Sequence, residues 1–215
     1  MTIKKNAIKA LVFDLDNTIY SVASIAPQLF GELYRQLGNR HELKKNFVSI
    51  KNDLQRLPFQ VVAKRYDFSP QLYRECIKYL SQLKYQGKIF PFESYSLVRK
   101  VPFKKFLVTT GFTNLQKSKI NALGIQDDFE QINIVDPLVS NRTKKDVFVE
   151  MLLKYQLSPH EVLVLGDDIQ SEIKAAEELG MQSVLFDPSE NYSNNSQYLA
   201  VKGFREFFDF VMSEK

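Results

Sequence analysis

This sequence predicts an α/β fold, a parallel sheet covered by helices, with a small helical module interrupting it near its start. Three observations carry that reading. Short, fully apolar runs alternate with helical stretches through the second half of the chain. A similar run, Ile8 to Phe13, stands apart near the N-terminal end. Between them, from about Pro27 to Gln86, the pattern is helical almost throughout. Parallel sheets are buried on both faces, so their strands read as continuous apolar runs. The chain has 215 residues, 44% of them hydrophobic, enough for one large domain or one domain carrying a smaller insertion.

In chain order, residues 8–14 form the first strand. Leu29, Phe30, Leu33, Tyr34 and Leu37 then recur at helical spacing, and Gly38 is a stop signal. Leu43, Phe47, Ile50, Leu54 and Leu57 give a second stripe, ended by Pro58. Ser69 and Pro70 supply an N-cap and first helical position for a third helix, through Leu72, Cys76, Leu80 and Leu83 to Gly87. A short helix over 93–100 leads into the strand 105–109. A helix over 114–123 closes on Gly124, and 132–135 is a short strand. Lys144 to Gln156 is amphipathic, with Val147, Phe148, Met151, Leu152 and Tyr155 on its apolar side. Ser158 to Glu161 reads as a capping box. Strand 162–165, helix 169–179 closed by Gly180, strand 183–186, an Asn/Ser-rich loop over 187–197 and a helix over 204–211 complete the chain.

In open parallel sheets, ligands sit beyond the carboxyl ends of the strands. Here those ends carry chemistry. Asp14 and Asp16 follow the first strand, Thr109, Thr110 and Gly111 the second, and Gly166, Asp167 and Asp168 a later one. Two carboxylates converging past one strand repel, so a metal ion, a shared proton or water must offset them. Acids at two strand ends and a hydroxyl at a third favour a metal and phosphate site.

The bulk numbers narrow the partners. Net charge is +4, with lysine pairs scattered rather than massed, which argues against a nucleic-acid polymer and suits a small anionic substrate. The lone Cys76 cannot form an internal disulfide and lies in an apolar helical stripe, so it reads as a packed core thiol in a reducing compartment. No run reaches membrane-spanning length and no signal peptide is recognisable, so a cytoplasmic location with no membrane partner is expected. His41 and His160 read as surface residues. Oligomeric state is not legible.

At these residues the sequence resembles the haloacid dehalogenase-like (HAD) superfamily nearly end to end. Asp14-Leu15-Asp16-Asn17-Thr18 is similar to its opening D-x-D-x-T motif. Val108-Thr109-Thr110-Gly111 is similar to its second motif. Gly166 to Glu172 resembles its acidic fourth motif, with Glu172 where many members have Asp. The third motif needs a lysine at a helix start; Asn141 to Phe148 offers two and no Lys-Pro. Spacing to Phe148 favours Lys144, with Lys145 the alternative. The resemblance implies a Rossmann-like core over 1–19 and 91–215, and a helical cap over 20–90.

It also implies a chemistry. Mg²⁺ would be bound by Asp14, the backbone carbonyl of Asp16, and Asp167, with Asp168 and Glu172 at the metal or just behind it. Asp14 would attack phosphorus and form an aspartyl-phosphate. Thr109, the backbone around Thr110 and Gly111, and Lys144 would hold the phosphoryl oxygens. Asp16 would serve as general acid, then base. That role requires its pKa to rise from about 3.9 to near neutrality, worth about 4 kcal/mol. Dehalogenases and phosphonatases of the superfamily are expected to lack an acid there, so Asp16 points to phosphate esters. The leading expectation is thus a Mg²⁺-dependent phosphatase acting on a small phosphorylated metabolite. The alternatives are a sugar phosphomutase, a catalytically silent phosphate-binding module, or a nucleotidase, since Asp16 to Tyr20 resembles pyrimidine nucleotidases. Phe30, Tyr34, Phe47 and Tyr66 could stack a base, although core packing explains them equally.

Overall fold

The computed structural model describes residues 5–192 and 197–213. Six parallel strands form one sheet in the order β3-β2-β1-β4-β5-β6. They are β1 (Ala10–Phe13), β2 (Lys104–Thr110), β3 (Gln131–Val135), β4 (Val162–Gly166), β5 (Gln182–Phe186) and β6 (Ala200–Val201). After β1 the chain builds outward through β2 and β3, then returns to β4 on the other side. The strand order therefore reverses beside β1, and a crevice opens beyond the carboxyl ends of β1 and β4. Ala10 pairs with Lys104 on one side and Val162 on the other, so β1 is central.

Side-chain alternation divides the core in two. Leu11 and Phe13 face one layer with Leu107, Leu163 and Leu165; α5 (Thr113–Leu123) and α8 (Phe204–Met212) pack there. Ala10 and Val12 face the other with Phe106, Val108, Val162 and Val164, covered by α6 (Lys144–Tyr155) and α7 (Lys174–Glu178). The expected helical module follows β1 as α1 (Val22–Gly38), α2 (Phe47–Asp53), α3 (Phe59–Arg65) and α4 (Pro70–Gln82). Its buried face, including Leu33, Leu37, Ile50, Cys76 and Leu80, is continuous with the first of the two layers. Burial pushes the Cys76 thiol up to about 11, as an inert core thiol requires. His41 and His160 are exposed.

Several boundaries differ from the sequence reading. Helix α1 starts five residues before Pro27, because the Asn17 side chain accepts the Val22 N–H at 3.1 Å and caps it from outside the helix. Asn17 itself has φ 59°, a conformation Asn tolerates. The second stripe is not one helix: a 3₁₀ turn over His41–Asn46 precedes α2, and a turn separates α2 from Pro58. Helix α4 stops at Gln82, where Leu83 turns extended, rather than at Gly87. The stretch before β2 is a 3₁₀ turn, Tyr95–Lys100. The Ser158–Glu161 box closes a single 3₁₀ turn, since β4 begins at Val162. The helix expected over 169–179 opens as a π turn, Ile169–Ile173, before α7. Strand β6, two residues long, is too short to produce a periodicity. Of the expected loop over 187–197, residues 193–196 lie outside the described residues.

Candidate active site

Strand β1 delivers Asp14 to the crevice, buried to 6% exposure, with its N–H held by the Leu165 carbonyl at 3.0 Å. A capping box fixes the start of α6: Thr143 Oγ1 accepts the Asp146 N–H, and the Asp146 carboxylate accepts the Thr143 N–H at 2.8 Å. That places Lys144, not Lys145, against the site. Lys144 Nζ donates to Asp14 Oδ1 and Glu172 Oε2, both at 2.6 Å. Lys145 points outward to Glu178 at 2.8 Å. Spacing to a buried Phe148 identified the inward lysine, because both lie on one helical face.

Past β4, Asp167 approaches from the other side. One carboxylate oxygen from each of Asp14, Asp167 and Glu172 lies within 4.8 Å of the others. Thr18 Oγ1 reaches Asp167 Oδ1 at 3.4 Å. The wide π turn brings Glu172 back under its own strand end, where Oε1 accepts the Asp168 N–H at 2.8 Å. Gly166 permits this, since a Cβ there would collide with the Glu172 side chain. Glu172 is therefore in the carboxylate cluster, whereas an Asp168 oxygen caps the following turn by accepting the Gln170 N–H at 2.8 Å. If the carboxylate cluster holds Mg²⁺, Gly166→Ala should weaken its binding by about tenfold or more with the fold retained, because it displaces the Glu172 side chain at the cluster. Calorimetric Mg²⁺ titration checks this; unchanged affinity would show that the glycine is irrelevant to the cluster.

Burial first, then Glu172, pushes Asp14 up to about 7, against the lowering pull of Lys144. Burial, Asp14 and Glu172 together push Asp167 up to about 8. Burial and Glu172 also raise Asp168. Burial acts to lower Lys144, but Asp14 and Glu172 outweigh it and the ammonium stays charged. Mutually repelling carboxylate oxygens in a small buried volume are a suitable donor set for a divalent cation with a preference for oxygen. The sign of the resulting pH dependence is definite. Asp14 and Asp167 have folded pKa values above the ordinary 3.8, so the metal-free folded state holds extra protons between about pH 4 and 8. Its stability falls as pH rises through that window. A divalent cation held by this cluster would compete with those protons, so any elevation of the thermal midpoint by Mg²⁺ should be larger at pH 8 than at pH 5.5. Equal shifts at both values would contradict the assignment.

Asp16 behaves differently from the expectation. Burial acts to raise its pKa, but Lys119 outweighs it, its Nζ sitting 2.7 Å from both carboxylate oxygens. Tyr20 Oη donates to Oδ1 and Gln116 Nε2 to Oδ2, and the carboxyl is held below its ordinary range. The acid role expected of Asp16 requires a pKa near neutrality, whereas here the buried Lys119 ammonium holds the carboxyl low.

Thr109 is buried, and its Oγ1 lies 2.6 Å from Gln116 Nε2, which also reaches the Thr110 carbonyl at 3.3 Å. The Gly111 N–H is already engaged with the Val135 carbonyl at 3.0 Å, and its missing Cβ leaves room for the Gln116 side chain. Gln116 and Lys119 were not anticipated. Their signal was present: two polar residues three apart on α5, level with the buried Leu115 and Ile120. Asp14, Asp16, Thr109, Gln116, Lys119, Lys144, Asp167 and Glu172 line one cavity of about 900 Å³, walled also by Phe30, Leu54, Arg56 and Gln60 of the helical segment.

A family model for haloacid dehalogenase-like hydrolases matches residues 8–180. A glyceraldehyde 3-phosphate phosphatase from Pyrococcus furiosus is 24% identical over 96% of this chain and 90% of its own length. Another protein of that name, from Methanopyrus kandleri, is 25% identical over 82% of this chain and 83% of its own. Among solved structures, the magnesium-bound HAD-hydrolase YfnB of Bacillus subtilis superimposes with a TM-score of 0.63 at 19% identity, covering 96% of this chain and 99% of that one.

Proposed function

This chain belongs to the haloacid dehalogenase-like hydrolases, and on that premise we propose that it is a Mg²⁺-dependent phosphatase of a small phosphorylated sugar or related metabolite. The observation that carries the reading is the convergence of Asp14, Asp167 and Glu172 on one another, with the Lys144 ammonium bridging two of them. The two relatives named as phosphatases of a triose phosphate, each matched over more than four-fifths of both chains, support the substrate class.

Asp14, Asp167 and the Asp16 carbonyl would hold Mg²⁺, with Glu172 fixing Lys144 and the Asp168 N–H beside them. When bound, the cation neutralises the substrate's dianionic charge and keeps Asp14 ionised. Asp14 is then the nucleophile, and the phosphoryl group is carried on its carboxylate. Thr109 and Lys144 face the phosphoryl oxygens. Because Lys119 keeps Asp16 ionised, Asp16 is ready as the base that takes a proton from the incoming water. Serving first as the acid for the leaving oxygen would require Asp16 to part from Lys119. Residues 20–90 are the segment we assign as the cap over a core of 1–19 and 91–215; closing it would exclude water from this exchange.

The test is phosphate release from an aryl phosphate and from a panel of phosphorylated sugars, with and without Mg²⁺. The reading predicts metal-dependent net release. Metal-independent release, or transfer within a sugar phosphate without net release, would contradict it.

A further inference from the structure

The helical segment contributes two polar side chains to the cavity wall whose interactions are incomplete. Arg56 sits on the turn after α2, and Gln60 in the first turn of α3. Of the other cavity-lining cations, Arg65 pairs with Asp53, Arg142 with Glu150 and Lys145 with Glu178. Lys119 and Lys144 pair with Asp16 and Asp14. Among the described residues the Arg56 guanidinium, which is exposed, makes no ion pair or hydrogen bond, although its charge is felt by the Asp168 carboxylate that lines the same cavity. Gln60 Nε2 is buried and has no hydrogen-bond acceptor among the described residues. A buried amide donor without a partner weakens the fold, and an Arg fork without one is suited to a planar anion.

We propose that Arg56 and Gln60 form a subsite for the leaving-group half of the substrate, and that this half carries a second anion, a carboxylate or another phosphate, next to an oxygen that accepts a hydrogen bond. This rests on the phosphatase reading only in placing the scissile phosphate at Asp14. The phosphoryl end already has Lys144 and the cation the carboxylates would hold, so the exposed Arg56 guanidinium on the opposite wall is left available to a second anion on the leaving-group half. A triose phosphate with a neutral remainder would leave the Arg56 guanidinium to solvent. Lys174, also without an ion pair on this rim, adds to the same positive field, although Glu178 lies near it.

The experiment measures equilibrium binding to the full chain carrying Asp14→Asn, so that ligands are not turned over. 3-Phosphoglycerate is compared with glycerol 3-phosphate, and fructose 1,6-bisphosphate with fructose 6-phosphate; the two pairs separate carboxylate from phosphate as the second anion. The expected result is about tenfold tighter binding of at least one doubly anionic ligand than of its neutral-ended counterpart. Adding Arg56→Gln should abolish that ratio. Gln60→Met should weaken the same ligand severalfold while raising the ligand-free thermal midpoint, because it removes the unmet donor. A ratio near one for both pairs, or a ratio that survives Arg56→Gln, would overturn the subsite. Aryl phosphate turnover by the unsubstituted protein is scored separately. Its absence beside an intact binding ratio would overturn the phosphatase reading and leave the subsite supported.

Discussion

Asp14→Asn reduces phosphate release by on the order of 10⁴-fold or more, with no loss of stability in the metal-free protein at pH 8. Two features of the site set these opposite signs. The amide cannot form an acyl phosphate, so the covalent route closes completely. Yet the ionised Asp14 carboxylate is itself a burden on folding, because burial and Glu172 push its pKa up to about 7. Replacing it with a neutral isostere relieves repulsion toward Glu172 and Asp167, and Lys144 keeps Glu172 as its counter-charge at 2.6 Å. Activity and thermal unfolding measured on one preparation check both halves. A variant that is inactive only because it unfolds would not support the nucleophile assignment.

Lys144→Met acts in the reverse direction on stability. It leaves the buried Asp14 and Glu172, with the half-buried Asp167 beside them, without their cation, and breaking a buried pair in this way costs about 3–5 kcal/mol. The loss should be greatest at pH 8, where the deserted carboxylates resist taking up protons, and smaller at pH 5, where protonation relieves them. Mg²⁺ should recover part of it, since the metal supplies positive charge to the same cluster. The neighbouring Lys145→Met removes only an exposed pair with Glu178 and should change stability by no more than about 0.5 kcal/mol. Chemical denaturation of both variants at the two pH values is the check. Similar small effects would mean that Lys144 is not the buried charge partner.

Much of this site was visible in the sequence because strand ends are. An apolar run that stops on Asp14, on Thr109 or on Asp167 places the next polar side chain beyond the sheet, whatever the details of the turn. Lys144 was visible for a related reason, since its spacing to Phe148 puts both on the inward face of α6. Glu172 was placed only loosely. Its position in the carboxylate cluster depends on the π turn over Ile169–Ile173 and on the absent side chain of Gly166, and neither follows from periodicity. Lys119 was missed because a lysine on a helix usually reads as solvated surface. Here it points inward only because Asp16, 103 residues earlier, awaits it, and that pairing exists in the folded topology alone. The same pairing holds the Asp16 carboxyl low, where an acid role would need it high. The start of α1 was misplaced for a comparable reason: its cap comes from Asn17, outside the helix, and local spacing carries no trace of it.

The most direct test of the central claim is to quench the Mg²⁺-loaded protein with acid during turnover of a phosphate ester and map the phosphoryl group by peptide mass spectrometry. The account predicts one acid-stable, hydroxylamine-labile phosphoryl group on the peptide bearing Asp14, absent from the Asp14→Asn protein. Turnover with no phosphoryl group on the chain, or one on a different carboxylate, would contradict it.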